Sequence, residues 1–137
     1  MIDFLNKKNF YSMILKDRFP LARIDFFSEK GEGNAELFRT PLGVVICVTI
    51  FGGGSLREVK MYDKTRGNFA IQNVFCGDNL IEIRDGVFVG VSSRLHIEEA
   101  IERDFLIKLD GVSIVARAHM LPKRESVVDK IPSLVYN

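Results

Sequence analysis

The chain has no tryptophan, two histidines, two cysteines and four prolines in 137 residues. Each shortage removes a class of explanation. Two cysteines cannot form the disulfide framework that staples small secreted domains. Two histidines, His96 and His119, leave little from which to build a metal centre or a general base. Charge of one sign is also scarce: the net charge is +1 and the sequence pI about 7.8. A domain that coats a polyanion usually has a pI above about 9, so any nucleic-acid contact must use a local basic face. Long apolar runs are missing too. The longest uncharged stretch, residues 40–56, is broken by Pro41 and by Gly52-Gly53-Gly54. Its apolar part falls short of the roughly 20 residues that span a bilayer. The first eight residues lack the basic-then-apolar order of a signal peptide. These absences lead to an expectation of a cytoplasmic protein with free thiols and no membrane contact.

What is present is an ordinary globular balance, 47% hydrophobic and 27% charged, with eleven phenylalanines supplying the bulky volume. A chain of this length buries roughly two thirds of its unfolded surface, enough for one core. Residues 3–18 read as a helix, because Phe4, Tyr11, Ile14 and Leu15 recur at helical spacing and Pro20 ends it. The period then changes to two. Ala22, Ile24 and Phe26 alternate with Arg23 and Asp25, as on a half-buried strand. Residues 30–34 have turn composition, and residues 35–40 return as the partner strand. Residues 42–51 are β-branched and apolar on both faces, which marks a central strand, with Cys47 as a small buried hydrophobe inside it. The glycines at 52–54 read as a mobile hairpin loop into an alternating segment at 57–62. A further strand is expected at 69–75.

Asp85-Gly86 and Asp110-Gly111 each separate two alternating runs, 80–84 from 87–91 and 106–109 from 112–117. Such pairs favour two-residue hairpin turns with positive φ at both positions. Between the hairpins, residues 94–105 read as a short helix capped by Ser93, with Ile97, Ala100, Ile101 and Phe105 as its apolar stripe and Glu99 paired to Arg103. The expected fold is mainly β: one antiparallel barrel or sandwich at 1–121, with an N-terminal helix and one short helix between C-terminal hairpins. Residues 122–137, with Val127, Val128, Ile131, Leu134, Val135 and Tyr136, form a tail or docking arm.

Chemistry-bearing patterns are few. There is no Gly-x-Ser-x-Gly elbow, and neither phosphate-loop fingerprint fits the glycine run. His96, Glu98, Glu99 and Glu102 could offer ligands to a cation, with the Glu98 and Glu102 carboxylates one helical turn apart, but a solvated helix face is the favoured reading. No cofactor is expected, and a Cys76–His pair is the one nucleophilic arrangement left open. The most suggestive stretch holds Lys60, Tyr62, Lys64, Arg66 and Phe69, cations beside rings of the kind that track phosphates and stack on bases. The leading expectation is a non-enzymatic binding or assembly protein, oligomeric, with a protein partner or its own copies. The alternatives are an OB-like single-stranded nucleic-acid binder using those five residues, and a small hydrolase or transferase.

Overall fold

The computed structural model describes residues 4–63, 70–75, 79–93 and 95–122, with side chains placed for the same residues except 4–8, 63 and 70–74. Helix α1 (Phe4–Leu15) precedes a β-meander of β1 (Ala22–Ser28), β2 (Gly31–Thr40) and β3 (Gly43–Phe51). Then come β4 (Leu56–Asp63), β5 (Ala70–Phe75), β6 (Leu80–Arg84), β7 (Val87–Ser92), the one-turn α2 (Ile97–Ala100), β8 (Asp104–Leu109) and β9 (Val112–Met120). All neighbours are antiparallel in one sheet of order β5-β4-β8-β9-β1-β2-β3-β7-β6. A single sheet curled into a half-barrel answers the choice between barrel and sandwich.

Period-two alternation does the folding work. Ala22, Ile24 and Phe26 point inward from β1, and Leu37, Ile46, Val48, Val59, Phe105 and Ile107 meet them in one core with α2's Ile97 and Ala100. The curl brings the two ends of the sheet together. A Cβ on Gly90 of β7 would lie 2.6 Å from the Asn79 carbonyl oxygen, 2.8 Å from Leu80 Cδ2 and 3.2 Å from Phe75 Cδ1 of β5. Only glycine lets both end strands approach there.

β3 is flanked on both sides by β2 and β7, as its continuous apolar run requires. Its even residues face the core, while Val45 and Cys47 face outward beneath α1. Tyr11 and Leu15 of the helix pack there with Phe38, Val45 and Val89. Among the described side chains, the helix packs on the outside of the sheet over β2, β3, β7 and β6. Cys47 is half-buried under this cover rather than in the core.

Four local expectations are corrected. Residues 30–34 are not a loop: β2 begins at Gly31, because Gly33 lets β3 approach so closely that a Cβ would lie 2.1 Å from the Thr49 carbonyl oxygen. The glycine run is a crossover, not a hairpin loop. β3 and β4 are not paired, and Gly52, Gly53 and Gly54 all take positive φ to carry the chain across. The Asp-Gly corners do close two-residue hairpins, Arg84 opposite Val87 and Leu109 opposite Val112. Positive φ, however, falls on Gly86 and Gly111 alone and not on the aspartates. Finally, α2 is one turn long. His96, not Ser93, occupies the N-cap, Ile101 is extended and Glu102 takes φ +64°. The amide of Glu102 donates to Ala118 O and the amide of Ala118 to Arg103 O. Pairing with β9 thus outcompetes helix continuation, and Phe105 is buried from a strand. Among the described residues no helix is long and apolar enough to cross a membrane.

Candidate functional site

The five residues singled out for nucleic acid do not assemble into a described site. Lys60 and Tyr62 alternate with the buried Val59 and Met61, so both lie on the outward face of β4. Lys64, Arg66 and Phe69 lie outside the described residues. Around Lys60 the charge is partly offset, one carboxylate standing between two lysines. Glu58 Oε2 sits 3.4 Å from Lys60 Nζ and 3.9 Å from Lys108 Nζ, an ion-pair spacing without hydrogen-bond alignment. On the neighbouring strands Arg117 pairs with Asp104 at 3.1 Å, and Arg23 pairs with Asp25 at 3.0 Å. Alternating signs at this spacing leave little net field to attract phosphates.

The candidates for acid–base or metal chemistry are dispersed. His96 is exposed at the end of α2, and His119 is exposed on β9 opposite Arg23. Among the described residues no three His, Cys, Asp or Glu side chains gather where they could hold a metal ion. Glu98 is bonded to Arg39 of β2, and Glu102 lies beyond the end of α2, so the expected carboxylate pair one helical turn apart does not form. The expected Glu99–Arg103 turn likewise lacks its helix. Cys76 lies outside the described residues. Burial pushes the Cys47 thiol up to about 11, with Glu36 adding to the rise and Arg84 opposing it. It is a poor nucleophile at neutral pH.

Two surface features stand out instead. The first is a row across β1, β2 and β3. Phe27 is paired with Glu32, and Glu32 with Phe51. Residues directly opposite on antiparallel strands project to the same face, so two phenylalanine rings flank one carboxylate on the outside of the sheet. Phe27 is 75% exposed and Phe51 49%. With Glu29, Lys30, Glu32, Gly52 and Gly53 they border a shallow, mostly polar concavity of about 310 Å³. The neighbouring β9 adds Val115, 56% exposed on its outward face.

The second is a groove of about 590 Å³ at the α2 end of the half-barrel. Leu21, Ile97, Ile101, Met120, Leu121 and Pro122 form its walls, and the Arg39–Glu98 ion pair is its charged edge. The wall is held by the chain itself: Leu21 N donates to Leu37 O at 2.9 Å, and Leu121 N to Leu21 O at 3.0 Å. The sequence gives little sign of this groove, since its walls come from residues 21, 97–101 and 120–122. The outward position of Phe27 could have been read from the alternation that sends Phe26 inward.

No family model matches the chain, and searches of curated proteins and of solved structures find no match either.

Proposed function

We propose that the protein is a non-enzymatic assembly module, and that its first partner is a second copy of itself through the outer face of β1, β2 and β3. The observation carrying this reading is the exposure of Phe27 and Phe51 in one row, away from the described contacts of α1. An isolated exposed phenylalanine needs no explanation, whereas two in one cross-strand row favour association. The near-zero net charge removes the long-range repulsion that keeps many small proteins apart. The largely offset charges on β4, β8 and β9 favour a partner of low net charge over a polyanion.

Light scattering over a concentration series tests the reading. The full chain is expected to exceed its 15.5 kDa monomer mass as concentration rises. The double variant Phe27→Ser, Phe51→Ser is expected to stay at monomer mass with an unchanged Tm. A wild-type chain that scatters as a monomer at every concentration overturns it.

A further inference from the structure

We propose that the Phe27–Glu32–Phe51 row is a cation seat whose occupant is Lys30 of a second copy, each copy supplying its Lys30 to the other's Glu32. The inference rests on the self-association proposed above and names the contact that orients it. Three observations carry it. The first is the row itself. Glu32 is exposed, opposite Phe27 on one side and Phe51 on the other. Neighbouring strands lie about 4.8 Å apart, so an ammonium held at that carboxylate sits between two phenylalanines. A ring attracts a cation within about 6 Å of its centre. Carboxylate and rings together favour an ammonium over a neutral or anionic group.

The second observation is placement. Lys30 and Glu32 are both exposed and both border the concavity beside the row. The third is that, among the described residues, neither side chain is in an ion pair. Elsewhere on the outer face the same two-residue spacing is paired: Arg23 reaches Asp25 at 3.0 Å and Lys60 reaches Glu58 at 3.4 Å. One unmatched cation and one unmatched anion on the rim of one depression are self-complementary. A two-fold axis through the concavity sets each Lys30 against the other copy's Glu32, the reciprocal pairing that a closed dimer requires. Glu29, on the same rim, adds to the negative sign. The rings supply adhesion, and the charges fix orientation and register.

Sedimentation equilibrium on the full chain at low salt tests it. Lys30→Glu and Glu32→Lys each set like charges together across the axis. Each is expected to weaken self-association at least about tenfold. An equimolar mixture of the two variants is expected to associate as the wild type does, and so is the double variant Lys30→Glu, Glu32→Lys. Glu99→Lys, the same charge change at the α2 end, is expected to leave association unchanged. Tm is expected to hold throughout, because all three side chains are exposed. Single reversals that associate like the wild type overturn the proposal and leave association through Phe27 and Phe51 standing. Weakening that neither the mixture nor the double variant rescues also overturns it, as does equal weakening by Glu99→Lys. A wild-type chain that is monomeric at every concentration overturns both this contact and the reading beneath it.

Discussion

The two halves of the sheet differ in what lies on their outer faces. On β2, β3, β7 and β6 the outward residues Phe38, Val45, Val89, Cys47, Ile83 and Val91 are apolar and lie under Tyr11 and Leu15 of α1. On β4, β8, β9 and β1 the corresponding positions include Glu58, Lys60, Asp104, Lys108, Arg117, Arg23 and Asp25, most of them in ion pairs at the surface. Both halves present the same kind of inward face to one core. A strand covered on both sides reads as a continuous apolar run, and a strand covered on one side reads as alternation. The Phe27–Phe51 row breaks this division, being apolar away from the described contacts of α1. That mismatch carries the functional proposal.

The comparison can be broken most forcefully by matched truncations in the two halves. Phe38→Ala removes a buried ring from under α1 and is expected to cost about 3–5 kcal/mol, measured by urea unfolding. Lys60→Ala, on the solvent side of β4, removes one partial ion pair and is expected to change stability by less than about 1 kcal/mol. Equal costs would show that the halves are not distinguished by their cover. The seam where the end strands meet gives the next largest effect. Gly90→Ala forces a methyl group against the Asn79 carbonyl, Leu80 and Phe75 and is expected to cost about 1–3 kcal/mol as an overpacked site. A neutral Gly90→Ala would mean that β5 and β6 do not close on β7.

A pH dependence arising in the covered half sharpens the comparison further. The Cys47 thiol rises from its ordinary 9.0 to about 11 because burial disfavours the thiolate. The folded state then holds this proton more tightly than the unfolded chain, so the stabilisation is complete below about pH 9 and is lost as pH climbs toward 11. Tm is expected to fall across that interval in the wild type and to fall less steeply in Cys47→Ala. Identical slopes would place the thiol in contact with water, outside the cover of α1.

Much of the fold was legible because alternation and Asp-Gly corners are local. The inward set of β1, the central placement of β3 and both C-terminal hairpins follow from neighbouring residues alone. What escaped is set at a distance. Glycines at 31 and 33 look like a turn, yet Gly33 is there because Thr49 of the next strand comes so close. The stripe through Ile97, Ala100, Ile101 and Phe105 has helical spacing, but the hydrogen bonds linking Glu102 and Arg103 to Ala118 pull the chain into β8. The partner of β4 could not be read locally, since β3 and β4 are consecutive in sequence and apart in the sheet. Of the residues singled out for nucleic acid, the described pair, Lys60 and Tyr62, share a face as alternation predicts. The Glu58 that partly offsets two lysines was visible as a residue but not as a contact.

The most direct measurement of the central claim is fluorine NMR on the chain labelled with fluorophenylalanine, followed across a concentration series. Single-site variants assign the resonances. The account predicts that the Phe27 and Phe51 signals move or broaden as concentration rises, while those of the fully buried Phe75 and Phe105 stay fixed. Signals from Phe27 and Phe51 that remain constant, with Phe10 or Phe19 responding in their place, would contradict it.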